Sequence, residues 1–314
     1  MKFGIAAMPL WRFPELTSLF DLTKRAEELG FYSVQIGERI LVPRSQAEVI
    51  NPYFYNTIVV GSAIATLTQR IKIFYNVFVI PFHHPIRLAQ ELTSLDILSG
   101  GRVIVGAGVG WLQGEFEALG IPMRERGPRT DEGVKALKEL WTARWPTFKG
   151  RYTSFEDIAF EPRPVQKPHP PIWIGGAVQR SLERAAELGD GWHPMRRGLE
   201  KLKAESDEVR RLLAQRNRTT KDFTFSYSVD YGSTAKAIRA YSKMAGSEDP
   251  IILSEAPDEA FSQLEALEQL GFSHLVIHFP GSKPEEIQTA MERFHRTIMQ
   301  PLSKTSPPVK EERE

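Results

Sequence analysis

Hydrophobic residues recur along this chain in two alternating patterns, namely short apolar runs and longer segments with helical spacing. Residues 71–80 form a nearly continuous apolar run rich in β-branched and aromatic side chains, which is typical of a strand buried on both faces. Residues 86–98 place apolar side chains at helical spacing, and two glycines follow Ser99. Residues 102–105 form a second apolar run that leads into Gly106. The pattern predicts a strand, a helix and a parallel strand, which together make one βαβ unit.

The same alternation continues along the chain and predicts a complete barrel. Eight strands are predicted, each followed by a helix, and they begin at Phe3, Ser33, Ile71, Arg102, Ile172, Gly191, Phe223 and His274. We therefore expect an α/β fold, a (β/α)8 TIM barrel with insertions, and keep a doubly wound open sheet as the alternative. Residues 1–302 are expected to form a single barrel domain, with an insertion at about 111–170 and a hairpin around Gly150. Residues 303–314 are expected to form a mobile C-terminal tail.

Composition and charge narrow the classes of function. The 314 residues are 41% hydrophobic and carry a net charge of +1, which gives no electrostatic reason for a nucleic-acid or acidic-membrane partner. The chain has no cysteine, so thiolate catalysis, zinc–thiolate sites and iron–sulfur clusters are excluded. No apolar run approaches the length of a transmembrane span, and no histidine or carboxylate cluster has metal-ligand spacing. We expect a soluble, cytoplasmic protein without a metal that acts on a small molecule.

Three glycines follow the fourth predicted strand, at the end where barrels and open sheets bind their ligands. They do not form a dinucleotide-binding fingerprint, because Trp111 stands where the third glycine is required. One interpretation is that the glycines only let the chain turn. We favour a flat ligand that lies against the backbone at Gly106 and Gly108.

A second glycine segment follows the fifth predicted strand and opens a helix. It consists of Gly175, Gly176 and Ala177. Backbone amides at the N-terminus of a helix form a site for anions, and a phosphate is the natural ligand. A tight turn would have the same sequence, so this segment alone leaves both interpretations open.

Polar side chains at the ends of other predicted strands are further candidates. Glu38 can accept a hydrogen bond from a ligand or form a salt bridge with a neighbour, and His193 can donate to a ligand or simply be a satisfied polar residue. Arg196 and Arg197 follow the sixth strand, where they are either a solvated pair of charges or a site for an anionic cofactor tail.

Seven short segments within residues 1–194 share their sequence and their order with one family of enzymes. They are Glu38-Arg39 with Val42-Pro43, Asn76-Val77 with residues 81–85, residues 95–102, residues 108–111 with Glu115, residues 126–132, residues 170–176 and residues 189–194. As an ordered set they resemble the luciferase-like monooxygenase superfamily, in particular its coenzyme F420 (deazaflavin)-dependent oxidoreductases.

The resemblance implies a barrel that binds a flavin or deazaflavin at the C-terminal ends of its strands. It implies a bulge on the third strand at Asn76 and Val77, often with a non-prolyl cis peptide, behind the cofactor ring. It also implies a cofactor role for Glu115, a phosphate site in the second glycine segment and a homodimer. Two departures from the family pattern stand out: Arg39 replaces a common histidine, and residues 74–75 replace a small Gly-Thr pair.

Three functions remain open at this stage. The first is hydride transfer between deazaflavin F420 and a small organic substrate, with Glu38 and His193 as the candidate catalytic residues. The second is an FMN-dependent monooxygenase that uses molecular oxygen, and the third is a barrel hydrolase or a non-catalytic ligand binder. In the first two, large side chains on the first two βα loops would wall the substrate space; they are Trp11, Phe13, Tyr53 and Tyr55.

Overall fold

Eight parallel strands form a closed barrel in the computed structural model of this protein, which describes residues 1–7, 13, 15–233, 243–244, 246 and 248–305. The barrel strands are β1 (Lys2–Ala6), β2 (Ser33–Ile36), β3 (Lys72–Val79), β4 (Val103–Gly108), β7 (Ile172–Gly175), β8 (Gly191–His193), β9 (Thr224–Tyr231) and β11 (Phe272–His278). Three short strands lie outside the ring: β5 (Phe148–Lys149), β6 (Ser154–Phe155) and β10 (Ile252–Leu253).

The pairing of β8 with β9 closes the ring and decides between the two predicted topologies. Trp192 on β8 pairs with Phe225 on β9, while β1 lies between β2 and β11. Because every barrel strand is parallel to both of its neighbours, the predicted TIM barrel is confirmed and the open doubly wound sheet is wrong.

Helices surround the barrel and cover the outer face of its strands. They are α1 (Leu16–Glu28), α2 (Thr57–Leu67), α3 (Pro85–Leu98), α4 (Gln113–Ala118), α5 (Arg126–Thr142), α6 (Gln179–Leu188), α7 (Leu199–Gln215), α8 (Pro257–Gln269), α9 (Pro284–Phe294) and α10 (Gln300–Thr305). Helix α3 ends as predicted, with Gly100 and Gly101 at φ +65° and +81°, a left-handed conformation that glycine adopts without strain. None of the helices described here is long and apolar enough to cross a membrane.

The chain between β4 and β7 contains other elements besides the one helix that a barrel connection needs. Helix α4 is followed by α5, which packs against α3 and α6 and so takes the place of a barrel helix. The antiparallel pair β5–β6 then forms the predicted hairpin. At the C-terminus, α10 continues to Thr305, so the segment predicted as a mobile tail begins inside a helix. Residues 306–314 lie outside the described part of the chain.

Two apolar layers hold this architecture together. The larger lies between the strands and the helices, where outward-facing residues such as Ile73, Val105 and Ile277 are fully buried. The smaller lies inside the barrel, where Phe74 and Trp173 belong to a separate cluster. This inner cluster fills only part of the interior, because buried polar side chains of β2, β8, β9 and β11 occupy the rest.

Candidate functional site

A cavity of about 430 Å³ lies at the C-terminal ends of the barrel strands. Its wall includes residues of β2, β3, β4, β7, β8 and β9 and the loops that follow several of these strands. This is the end of the barrel at which ligands of this fold bind. Nine of the ten predicted cofactor residues line it; they are Asn76, Val77, Gly108, Glu115, Gly175, Gly176, Ala177, Arg196 and Arg197.

A bulge on β3 forms one side of the cavity. The register of β3 against β4 shifts between Tyr75 and Phe78, and the peptide between Asn76 and Val77 is cis. The bulge therefore lies where the sequence placed it. Neighbouring strands leave room for it: a Cβ at Gly108 would lie 2.3 Å from Val77 Cγ2.

Gly106 has a different role from the predicted contact with a ligand. A Cβ at this position would lie 1.9 Å from the carbonyl oxygen of Tyr75, so the missing side chain lets β3 and β4 approach each other. Gly106 is absent from the lining of the cavity. The first glycine of the segment thus accommodates the bulge, whereas Gly108 faces the cavity.

The second glycine segment lies at the edge of the same cavity. Gly176 has φ +104°, and α6 begins two residues after Ala177. The first amides of a helix have no partner within the helix, and they concentrate positive charge at its N-terminus. Arg126, the first residue of α5, lines this cavity as well and forms no ion pair with a carboxylate of the described residues. The geometry suits a phosphate at this position.

A buried ion pair joins the loop after β2 to helix α4 beside the cavity. Arg39 donates to the Glu115 carboxylate, and the backbone N–H of Ile40 donates to the other carboxylate oxygen at 2.7 Å. The guanidinium of Arg39 also lies 4.9 Å from the centre of a ring of Trp111. Burial raises the pKa of Glu115, and Arg39 and the backbone donors oppose that shift. The carboxyl therefore lies in the wall of the cavity with a raised pKa and a cation beside it.

The fold and this site agree with the comparison to known proteins. A model of the luciferase-like monooxygenase family matches residues 1–249. The chain belongs to this family.

Relatives within the luciferase-like family use two kinds of cofactor. An FMNH2-dependent dimethylsulfone monooxygenase of Pseudomonas putida is 27% identical over 199 residues, which span 62% of this chain and 54% of that relative. An F420-dependent glucose-6-phosphate dehydrogenase of Intrasporangium calvum is 28% identical over 302 residues, which span 84% of this chain and 89% of that protein. The crystal structure of a monooxygenase from Streptomyces bottropensis has a TM-score of 0.78 at 24% identity, covering 96% of this chain and 100% of that one, and shows the shared fold.

Glu38, predicted as a catalytic residue, is engaged by the protein in this luciferase-like barrel. One carboxylate oxygen accepts from the backbone N–H of Val79 at 2.7 Å, and the other lies 2.8 Å from His83 Nε2. Burial lowers the pKa of His83, but the hydrogen bond and the charge of Glu38 outweigh it and raise this pKa. Glu38 therefore ties the end of β3 to the loop beyond it.

His193, the other candidate catalytic residue, lies in the wall of the cavity but is held from both sides. Its Nδ1 lies 2.8 Å from Ser226 Oγ, and its Nε2 lies 3.1 Å from Ser228 Oγ. Burial lowers the pKa of His193 to about 3, so the ring is neutral near pH 7. A neutral imidazole can carry its proton on either ring nitrogen, but it has no positive charge with which to bind an anion.

The two predicted tail-binding arginines are already engaged by the protein. Arg196 is buried and donates to Asp230 at 2.6 Å. Arg197 forms an ion pair with Glu205 at 3.3 Å and donates to the carbonyl of Gly246 at 2.7 Å. The alternative of two solvated charges is therefore wrong, because acidic and carbonyl groups of later segments approach both arginines. Their predicted role in binding a cofactor tail stays a prediction.

The predicted aromatic wall is not assembled around the cavity by the described residues. Phe13 is fully buried in the main core, and Trp11 lies outside the described residues. Tyr53 and Tyr55 place their hydroxyl oxygens 2.7 Å apart, but neither lines the cavity. Large side chains on a loop were a weak signal, since they pack into the core as readily as around a ligand.

Several residues that line the cavity were missed, among them Gln35, Arg126 and Ser228. A usable signal existed for the serine, because polar residues alternate along β9 at Ser226, Ser228 and Asp230. No group of three or more metal-binding side chains occurs among the described residues.

Proposed function

We propose that this protein is an oxidoreductase that transfers a hydride between deazaflavin F420 and a small organic substrate. One observation carries the proposal: a single cavity contains both the β3 bulge and an anion site formed by the start of α6 with Arg126. The first suits the face of a planar ring, and the second suits a phosphate. Membership of the luciferase-like family, whose relatives include a dehydrogenase and a monooxygenase, supports an oxidoreductase over a hydrolase.

The residues present fit such a cofactor. Asn76 and Val77 would lie behind the ring, and the missing side chain of Gly108 leaves room for Val77 in this part of the wall. The amides of Gly176 and Ala177 would hold the phosphate together with Arg126. The bound cofactor supplies the two-electron chemistry, while the protein supplies orientation and electrostatics.

Two comparisons favour the deazaflavin over FMN. The F420-dependent glucose-6-phosphate dehydrogenase aligns with 84% of this chain and with 89% of its own length. The FMNH2-dependent monooxygenase aligns with only 62%. The second candidate function is accordingly an FMN-dependent monooxygenase.

The side chains of the wall can handle the proton that accompanies a hydride. Glu115 has a raised pKa and lies in the cavity wall, so it is a candidate to exchange a proton with a substrate, although its protonation would leave Arg39 without its anionic partner. Neutral His193 and the hydroxyl of Ser228 offer a donor or an acceptor without a buried charge. Burial of these groups strengthens every polar contact they make with a substrate.

The test is titration of purified protein with F420 and, separately, with FMN, followed by fluorescence. We expect F420 to bind more tightly, and we expect Arg126→Ala to weaken it. Arg144→Ala, at an exposed arginine just past the end of α5, is the matched control and should bind like the wild type. Tight FMN binding with none for F420 would transfer the proposal to the monooxygenase, and binding of neither would reject both.

We also propose that the protein is a homodimer that pairs through α2 and α3. These neighbouring helices carry exposed apolar side chains: Val59, which is 64% exposed, with Leu67, Ile97 and Leu98. Helix α2 contains no charged residue, which is unusual for a helix that faces water. Light scattering should give a dimer for the wild type and a folded monomer for Val59→Glu. A monomeric wild type at micromolar concentration would refute the pairing.

A further inference from the structure

Hydrogen-bonded serine and histidine side chains occupy one side of the barrel interior. Ser33 Oγ lies 2.8 Å from His274 Nε2, and His274 Nδ1 lies 2.7 Å from Ser226 Oγ. The same Ser226 oxygen lies 2.8 Å from His193 Nδ1, and His193 Nε2 lies 3.1 Å from Ser228 Oγ. We call these five side chains the Ser–His file. It is continuous and buried over its whole length.

The file departs from the rule that branched aliphatic side chains fill a TIM barrel. Ser226 and Ser228 point inward from β9 because they alternate with the outward-facing Tyr227 and Val229. A buried hydroxyl or imidazole destabilises a protein unless it is hydrogen-bonded, and here every ring nitrogen has a serine partner. Local departures from packing rules tend to occur at functional sites, which makes the file a candidate for a role in the reaction.

The surrounding residues make room for the file and shield it from water. A Cβ at Gly4 would lie 2.2 Å from Ser33 Oγ and 3.2 Å from His274 Nε2, so this position leaves space for their hydrogen bond. The rings of Phe74 and His193 lie 5.2 Å apart, and those of Trp173 and His274 lie 5.1 Å apart. Aromatic rings thus cover both histidines.

The position of Ser226 links the protonation of the two histidines. Its hydroxyl has one hydrogen and contacts two Nδ1 atoms, so it donates to one of them and must accept from the other. Burial lowers the pKa of both rings, to about 3 for His193 and well below the usual range for His274. Each ring is therefore neutral and carries one N–H. It follows that one Nδ1 is protonated and the other is not, so the two tautomers are coupled.

We propose that the Ser–His file is a proton relay that serves the reacting cavity, a role that rests on the proposed oxidoreductase function. A proton released by a substrate hydroxyl binds Ser228 Oγ, whose own proton passes to His193 Nε2. The proton on His193 Nδ1 passes to Ser226, and that of Ser226 passes to His274 Nδ1. The proton on His274 Nε2 then passes to Ser33, which releases its own. One proton enters, one leaves, and no charge remains inside the barrel.

A second cavity lies near the far end of the relay. It has a volume of about 670 Å³ and is lined by Lys2, Phe3 and Tyr32, at the N-terminal end of the strands. Tyr32 directly precedes Ser33, the last member of the file. Ser33 is buried and does not itself line the cavity, so the relay requires a proton path from Ser33 past Tyr32 to water there. That water would accept the released proton and donate one when the reaction runs in reverse.

Nitrogen-15 NMR of histidine-labelled protein tests the coupling without any substrate, because it distinguishes a protonated ring nitrogen from an unprotonated one. Ser33→Ala removes the partner of His274 Nε2. A buried N–H without an acceptor is less tolerable than a lone pair without a donor, so His274 should place its proton on Nδ1. Through Ser226, His193 should then carry its proton on Nε2. Ser228→Ala should give the opposite result, with the His193 proton on Nδ1.

Three further variants complete the test. Adding Ser226→Ala should abolish the response of His193 to Ser33→Ala, and Ser226→Thr, which keeps the hydroxyl, should retain it. Ser206→Ala is the matched control, since Ser206 is a buried serine with two hydrogen bonds on α7, outside the barrel. It should leave both histidines unchanged. An unchanged His193 in both Ser33→Ala and Ser228→Ala, or a response that survives Ser226→Ala, would overturn the relay.

Cofactor titrations of the same labelled protein separate this proposal from the proposed function. F420 and FMN are added separately, and the signals of His193 and His274 are followed. Binding of either should shift His193 and, through the file, His274 as well. If neither binds while the coupling between variants holds, the oxidoreductase proposal fails and the coupled file stands. If a cofactor binds and moves His193 but leaves His274 unchanged, the relay fails alone.

Discussion

The substitution Gly176→Val tests the anion site at the start of α6. Gly176 has φ +104°, and a Cβ there would lie 2.8 Å from Ser181 Oγ. A residue other than glycine in the left-handed region costs about 1–2 kcal/mol. Because a domain is typically stable by about 5–15 kcal/mol, the variant should still fold.

The effect on the cofactor should exceed the effect on the fold. The valine side chain would occupy the space in which a phosphate approaches the amides of Gly176 and Ala177. Loss of one hydrogen bond to a charged group costs roughly 1.5–3 kcal/mol. That corresponds to a dissociation constant raised about 10- to 150-fold. Both F420 and FMN should be affected, since each carries a phosphate.

The assay is fluorescence titration of each cofactor, with urea unfolding to confirm the fold. Gly100→Val is the control, because Gly100 also has a positive φ of +65° but has nothing within 4 Å of its Cβ position. It lies at the end of α3, away from the cavity, and should change stability without changing affinity. A folded Gly176→Val protein that binds both cofactors as tightly as the wild type would refute the phosphate site.

Three further outcomes follow from the contacts of the described residues. Arg102→Met should lower the free energy of unfolding in urea by roughly 3 kcal/mol or more, because the buried guanidinium donates to several carbonyl groups that would lose their partner. The free energy of unfolding should fall as the pH decreases from 6.5 towards 3, by about 1.4 kcal/mol per pH unit for each buried histidine. The reason is that each histidine binds a proton in the unfolded chain, whereas His193 and His274 stay neutral in the folded protein. Replacing His193 by Gln should reduce that slope. Glu38→Gln should lower the pKa of His83, measured by NMR, because the lowering effect of burial is then no longer opposed by the Glu38 charge. In the wild type the pair stabilises the fold below about pH 6.5, and this contribution is lost as the pH rises through the raised pKa. An unchanged His83 pKa in the variant would contradict the assignment.

The fold was predictable because its signals are local. Continuous apolar runs identified β3 and β4, and the proline and glycine punctuation around α3 fixed their order. The strand boundaries moved by one residue, since β3 begins at Lys72 and β4 at Val103. Closure of the barrel was not local. It depends on the pairing of β8 with β9, and only the count of strands indicated it.

The candidate site was predictable in its backbone and less so in its side chains. The bulge at Asn76 was implied by the family resemblance, and the glycines before α6 are visible along the chain at the end of a strand. The partners of Glu38 and Arg196, and the Gly246 carbonyl that accepts from Arg197, come from segments distant in sequence. The sequence alone does not show whether a charged side chain is paired with a distant segment of the protein or is free to bind a ligand.

The Ser–His file was missed because alternation along a strand has two meanings. Residues 223–231 alternate apolar and polar side chains, which usually indicates one buried face and one solvated face. In a closed barrel no strand face is solvated, since helices cover the outside and the other strands enclose the inside. Once the barrel is accepted, a polar face of β9 has to lie in the interior. The predicted barrel therefore implied that the polar side chains of β9 lie in its interior. Reaching that conclusion required each predicted strand to be examined again once the barrel had been predicted.

The polar face of β9 also changes in character along its length. Ser226 and Ser228 meet neutral histidines deep in the barrel, whereas Asp230, two residues further towards the cavity, meets the charged Arg196. Neutral groups occupy the part of the interior that is closed to water, where an ion would be most costly. The ion pair lies beside the cavity, which Arg196 lines, and the opposite charge of its partner offsets part of that cost. The interior of the barrel therefore excludes charge at depth and admits it beside the cavity, and a proton can cross the deep part only by exchange between neutral groups.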